Sequence, residues 1–131
     1  MTKILFCPLS YGDLIDKISI LEIKVSRFSD PNKIIAADRE LNALVRVRDE
    51  HFSDEIIKEL KPYSLKLTEV NEKLWTIENS LRELERKSDF GDSFVRLARS
   101  VYKINDVRAA LKAEINGVFG SAIIEKKDYG D

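Results

Sequence analysis

The stretch "RSVYKINDVRAALK", residues 99–112, decides the fold and raises the question of function. Its apolar residues recur at the spacing of one helical face, and the same stripe extends beyond the stretch on both sides. One position on that stripe is occupied by Arg108 instead of an apolar residue. Because an unpaired guanidinium in a core position is very costly, we expect a carboxylate from another helix to meet it. The candidate carboxylates are Asp16, Glu22 and Glu78.

Helix start signals precede three further helical patterns. Ser10, Asp30 and Ser53 each stand where a side-chain oxygen can cap the first turn of a helix. Pro31 follows Asp30 at the first helical position, where its missing N–H and fixed φ are tolerated. The second helix is expected to run to about Glu50.

The longest helix is expected over residues 63–87, after Pro62, which must kink its helix or begin a new one. The segment "KSDFGD" breaks the pattern and links this helix to residues 92–118. A short link favours antiparallel neighbours, so these two helices are expected to form a long hairpin with residues 10–50 packed across it. The predicted fold class is mainly α, an elongated antiparallel helical bundle.

The two ends of the chain do not follow the helical pattern. The opening run "TKILFCPL" is stopped by Pro8 and suits a strand or a buried extended arm, with Cys7 as a small buried apolar residue. The tail, residues 121–129, has a β-branched centre. A short β pair between this tail and residues 2–7 is therefore an option that the pattern leaves open.

Composition excludes several classes of function. Lys and Arg total 22 against 23 Asp and Glu, a net charge of −1 that argues against a nucleic-acid or anionic-membrane surface. The single cysteine excludes an internal disulfide, and no secretory segment or apolar run of about 18 residues occurs. Metal-ligand spacings and phosphate-binding glycine loops are missing, so we predict no cofactor, no metal and no catalytic residue. We expect one cytoplasmic helical domain over residues 1–131.

Polar residues at helical spacing predict a cluster around Arg108. Asn105 and Lys112 share its helical face, and Asn71 and Glu78 can supply a facing strip. Such a cluster is either a structural network that fixes helix register or a site for a small anion, and the structural network is our first interpretation. The predicted cluster or ligand-binding site comprises Asp16, Glu22, Lys24, Asn71, Trp75, Glu78, Arg99, Asn105, Arg108 and Lys112.

Two long segments resemble a known family: "YGDLIDKISILEIK" at 11–24 and "LARSVYKINDVRAALKAEIN" at 97–116, with "VNEKLW" at 70–75 between them. Over nearly its full length the chain is similar to a family of small bacterial and phage proteins known only as a domain of unknown function. The resemblance implies a stand-alone helical domain and carries no established activity. The positions that it marks are Tyr11, Asp13, Asp16, Lys17, Glu22, Lys24, Asn71, Trp75, Asn105, Asp106, Arg108 and Asn116.

A second similarity is to all-helical chorismate mutases, through "DLIDKISILEIKVSRF" at 13–28 and "DREL" at 38–41. That resemblance implies a helical dimer that binds a dicarboxylate with Arg and Lys side chains. The chain departs from the pattern because Pro31 interrupts the long first helix of that fold. The interval between the two segments is also short, and the early helical Arg is missing.

Apolar residues follow a regular heptad spacing along the predicted helices, whereas no catalytic motif is recognisable. We therefore predict a non-enzymatic interaction module that presents an apolar and charged groove to a protein partner. That partner can be a second copy, in a homodimer joined by coiled-coil-like seams. The alternative is a protein that binds a small anion or metabolite, including a chorismate-mutase-like enzyme. Groups converging on a closed pocket would favour the alternative, whereas groups paired with one another would favour the module. The binding groups of the alternative are Glu22, Arg99, Asn105, Arg108 and Lys112, with Lys24 nearby.

Overall fold

The computed structural model describes residues 3–128, and this part of the chain forms four α-helices. The longest two, α3 and α4, are joined by the short predicted link and pack together as a long hairpin. The predicted mainly α helical bundle is therefore confirmed. The helices are α1 (Tyr11–Arg27), α2 (Pro31–His51), α3 (Asp54–Arg86) and α4 (Asp92–Phe119).

Side-chain caps set the helix boundaries, largely as predicted. The side chains of Ser10, Asp30 and Ser53 each accept a hydrogen bond from a backbone N–H in the first turn of the helix that follows. At the far end of α4, Gly120 adopts a left-handed φ of 74° and closes the helix. Gly117 lies inside α4.

Of the two outcomes expected at Pro62, the start of a new helix does not occur. The helix α3 passes through it and runs for 33 residues from Asp54. A proline cannot donate to the carbonyl one turn earlier, so the helix loses one hydrogen bond at this point. Leu60 and Leu67, on either side, are both fully buried in the core, and this packing holds the helix together across the proline.

The core is built around α1, which contacts each of the other three helices. Its residues Leu14, Ile15 and Ile18 pack with Ile115 of α4 and with buried side chains from the start of α3. In contrast, α2 packs against α1 and buries only Ala37 completely. The second helix is therefore an outer layer, and none of the other described helices covers its far side.

The amino-terminal arm, residues 3–9, has no regular secondary structure. No strand forms anywhere in residues 3–128, so the optional β pair is not made there, and Thr2 and Tyr129 lie outside the described residues. The expectation that Cys7 is buried is wrong, because the arm has no strand partner and the thiol is exposed. None of the described helices is both long enough and apolar enough to cross a bilayer.

Candidate functional site

The guanidinium of Arg108 on α4 meets the carboxylate of Asp16 on α1. Its Nε donates to Asp16 Oδ1 at 2.9 Å, and its Nη2 donates to Asp16 Oδ2. The Asp16 side chain is 2% exposed and that of Arg108 is 27% exposed. The hydrogen bond to Asp16 raises the pKa of the Arg108 guanidinium above its ordinary value and outweighs burial, which lowers that pKa. Of the three candidate carboxylates, Asp16 is the partner.

Three further polar side chains complete what we call the Asp16 cluster, made of Asp16, Ser19, Asn71, Asn105 and Arg108. Asn71 Nδ2 donates to Asp16 Oδ1 and to Ser19 Oγ, both at 2.9 Å. Ser19 Oγ donates to the backbone oxygen of Asp16 at 2.7 Å, and Arg108 Nη1 makes a longer bond of 3.4 Å to Asn105 Oδ1. No buried side-chain polar atom in the described part of the chain lacks a partner. The cluster is a satisfied network that ties α1, α3 and α4 together.

A close approach of α1 to α4 lies next to this cluster, at Gly12. A Cβ atom at Gly12 would stand 2.5 Å from the backbone oxygen of Lys112, so only glycine fits here. The Gly12 N–H donates to Asn116 Oδ1 at 2.7 Å, and the Tyr11 N–H donates to Ser121 Oγ at 3.1 Å. Two of the free amides at the start of α1 are thus satisfied by α4 and the residue beyond it.

Lys112 forms a separate ion-pair group. Its Nζ lies 3.1 Å from Asp13 Oδ1 and 2.9 Å from Glu125 Oε2. Burial lowers the pKa of Lys112, but its hydrogen bonds to Glu125 and Asp13 outweigh burial and leave that pKa above its ordinary value. Lys112 therefore fastens the segment after α4 to the first turn of α1, and it does not join the Asp16 cluster.

A cavity of about 280 Å³ opens beside Arg108. Trp75 and Glu78 line it, together with Asn71 and Asn105. Within residues 3–128, no three His, Cys, Asp or Glu side chains are grouped so that they could hold a metal ion. The structure thus brings six of the ten predicted residues to one place: Asp16, Asn71, Trp75, Glu78, Asn105 and Arg108.

Glu22 does not reach Arg108. It follows Asp16 by six residues, and at 100° per residue this turns its side chain about 240° around the helix axis. It lines a different cleft of about 330 Å³, together with Arg48, Lys58 and Lys61. The expectation that Glu22 belongs with Arg108 is therefore not met, because the two side chains leave different faces of the bundle.

Arg99 and Lys24 also stay outside the Asp16 cluster. Arg99 precedes Arg108 by nine residues, which places it about 180° around α4. It is exposed, whereas Lys24 is half-buried. Neither side chain makes a hydrogen bond or ion pair to the residues that the structure describes.

Several residues of the site were missed by sequence reasoning. A glycine just inside a helix start was the available signal for the close contact at Gly12, because such a glycine often marks an approach of two backbones. No motif marks Arg48, Lys58 and Lys61 as a group, although Lys58 and Lys61 are about one turn apart on a single helix.

Comparison with known proteins identifies a family. The model of DUF6165, a family of unknown function, matches residues 5–131 and so includes every residue of the Asp16 cluster. The resemblance to a family of unknown function is thereby confirmed. Neither a curated protein nor a solved structure matches the chain.

Proposed function

We propose that this chain, which belongs to the DUF6165 family of unknown function, is a non-enzymatic interaction module that associates with a second copy of itself through its amino-terminal arm and α2. The observation that carries this proposal is a run of three exposed apolar side chains in the arm. Ile4 is 66% exposed, Leu5 88% and Phe6 78%. Removing apolar surface from water is favourable by about 25 cal/mol of free energy per Å². Contiguous exposed apolar patches therefore mark interaction sites.

A groove beside the arm has the matching chemistry. It has a volume of about 550 Å³ and lies between the arm and the outer helix α2. Its apolar lining comes from α2, through Leu44 and Val47, and from the arm itself, through Ile4, Leu5 and Phe6. Val47 remains 39% exposed because no other part of residues 3–128 covers this side of α2. The chain therefore presents an apolar segment and an apolar groove on the same surface.

Self-association is favoured over a different partner because this surface is complementary to itself. Two copies related by a two-fold axis can each pack the exposed apolar side chains of the arm against the groove of the other. Arg46 and Glu50 stand one turn apart on α2 and line the same groove. When two α2 helices pack antiparallel with the two-fold axis near residue 48, Arg46 of each copy faces Glu50 of the other, so a favourable charge contact forms twice.

The Asp16 cluster is proposed to be structural within this module. The charge of Arg108 is already balanced by Asp16, so an anion in the neighbouring cavity would have to disturb a largely buried ion pair. Glu78 adds a further negative charge to the lining of that cavity. The cluster is instead suited to fixing the register of three packed helices, which keeps α1 in place as the support for α2.

Sedimentation velocity over a dilution series tests this proposal. We expect a dimer for the wild-type chain and a monomer for Leu5→Asp and Val47→Asp, because each places a carboxylate in the apolar contact. Val107→Asp is the matched control, since Val107 is 52% exposed on α4 and does not line the groove between the arm and α2. Circular dichroism checks that all three variants keep their helices.

Two results would overturn the proposal. One is a wild-type chain that stays monomeric at every concentration. The other is a dimer that survives both Leu5→Asp and Val47→Asp, since another surface would then hold it together.

A further inference from the structure

The cleft that Glu22 lines carries an excess of positive charge. It lies between the carboxyl-terminal end of α2 and the first half of α3, against α1. Arg48, Lys58 and Lys61 stand against the single carboxylate of Glu22, which gives the lining a net charge of +2. The whole chain has a net charge of −1, so this concentration of cations is local.

Most of these positive charges are not paired with a carboxylate among the described residues. Lys58 and Lys61 make no ion pair with any side chain in residues 3–128. Arg48 pairs through its Nε with Asp49 at 3.0 Å, and its two Nη groups make no hydrogen bond to the described residues. Arg108 differs, because its Nε and Nη2 both donate to the carboxylate of Asp16.

The interior of the cleft is apolar apart from a few hydroxyl groups. Ile15, Ile18 and Ile57 line it and belong to the core or pack against it. The hydroxyls of Ser64 and Thr68 already donate to backbone carbonyls one turn earlier on α3, so they offer only lone pairs to the cleft. Donors for an anion therefore come from the basic side chains, while the interior suits a hydrocarbon.

We propose that this cleft binds a small organic anion, with one phosphate or carboxylate head on a short apolar tail. The ammonium groups of Lys58 and Lys61 and the free Nη groups of Arg48 bind the head. The isoleucine side chains contact the tail, which is removed from water on binding. The cleft does not include the arm or the outward side of α2, so this site and the self-association surface can be tested separately.

The experiment is a titration of the full chain followed by ¹⁵N NMR with five probes that differ in one property at a time. Butyl phosphate and butyrate carry the two anionic heads, and butan-1-ol has the same tail without charge. Butylammonium reverses the charge, and inorganic phosphate lacks the tail. We expect saturable shifts of the Lys58, Lys61 and Ser64 amides with butyl phosphate or butyrate, with the tighter of these two identifying the preferred head. Inorganic phosphate should bind more weakly, and the other two probes should not bind.

Charge variants then distinguish binding in the cleft from general electrostatic attraction to the protein surface. Lys58→Gln and Lys61→Gln should each weaken binding about threefold, whereas Glu22→Gln should strengthen it by a similar factor, because each changes one charge at short range. Lys66→Gln removes an exposed lysine of α3 outside the cleft and should leave the affinity unchanged. The proposal is overturned if neither anion binds, if butan-1-ol binds equally well, or if Lys66→Gln weakens binding as much as Lys58→Gln.

Discussion

Asp16 and Arg108 lie 92 residues apart in the sequence, yet the guanidinium of Arg108 donates to both carboxylate oxygens of Asp16. The two partners are not equally buried. The Asp16 side chain is almost completely buried, whereas that of Arg108 keeps 27% of its surface in solvent. Asp16 therefore depends on hydrogen-bond donors that the protein supplies. When the pair is broken, the main cost is that the buried carboxylate of Asp16 is left without a compensating cation.

Arg108→Leu is expected to lower the free energy of unfolding by about 3 to 5 kcal/mol, because it leaves a buried carboxylate without its cation. Urea denaturation measures this value. Arg99→Leu, on the exposed side of the same helix, should change it by less than about 0.5 kcal/mol. Adding Asp16→Asn to Arg108→Leu should recover part of the loss, because the buried charge is removed. A loss no larger for Arg108→Leu than for Arg99→Leu would contradict the structural role of the pair.

Two glycine-to-alanine substitutions should have opposite effects. At Gly12 the new Cβ would lie 2.5 Å from the backbone oxygen of Lys112, so α1 and α4 must separate. We expect a loss of about 1 to 3 kcal/mol in unfolding free energy, as for other overpacked sites. At Gly117, inside α4, a Cβ meets nothing within 4 Å, and alanine should stabilise the helix by about 0.5 to 1 kcal/mol. Thermal unfolding of the two variants gives the comparison, and equal effects would exclude the close helix contact.

Alkaline pH should weaken the fold through Lys112. Burial lowers the pKa of this lysine, but its hydrogen bonds to Glu125 and Asp13 raise it more, so its folded pKa lies above the ordinary value of 10.5. A raised folded pKa means that the folded chain holds the proton more tightly than the unfolded chain. The contribution of Lys112 is therefore complete below pH 10.5 and is lost as the pH rises through the folded pKa.

Urea denaturation of Lys112→Met at a series of pH values checks this expectation. Its unfolding free energy should be lower than that of the wild type at neutral pH, and the difference should shrink above pH 10.5. Lys103→Met, at an exposed position on the same helix, should keep the wild-type slope. Wild-type and Lys112→Met curves that stay parallel across the alkaline range would show that the ion-pair group does not stabilise the fold.

Cys7 offers a direct probe of the proposed self-association. Its thiol is exposed in the single chain and lines the groove between the arm and α2. If a second copy covers that groove, the rate of modification by a maleimide should fall as the protein concentration rises. Leu5→Asp, which is expected to be monomeric, should react at one rate at all concentrations. A wild-type rate that does not depend on concentration would oppose an interface at the arm.

The helices and their ends were predictable because their causes are local. A cap such as Ser10 or Asp30 acts on amides within the next three residues, and a heptad stripe is a property of one segment. The presence of a carboxylate partner for Arg108 was predictable for a similar reason, since an unpaired cation at that position is too costly. The choice of Asp16 over Glu22 was not, because both lie on α1 and helical spacing does not state which face of α1 meets α4.

The sequence by itself therefore determined the helices, their caps and the need for a negative charge near Arg108. Only the tertiary structure decided which charges meet, which remain unpaired around the Glu22 cleft, and which apolar side chains the chain leaves in solvent. The physical reason is range: hydrogen bonding and side-chain spacing along a helix act over about one turn. The rotation and approach of packed helices depend on contacts between residues about a hundred positions apart, such as Gly12 and Lys112.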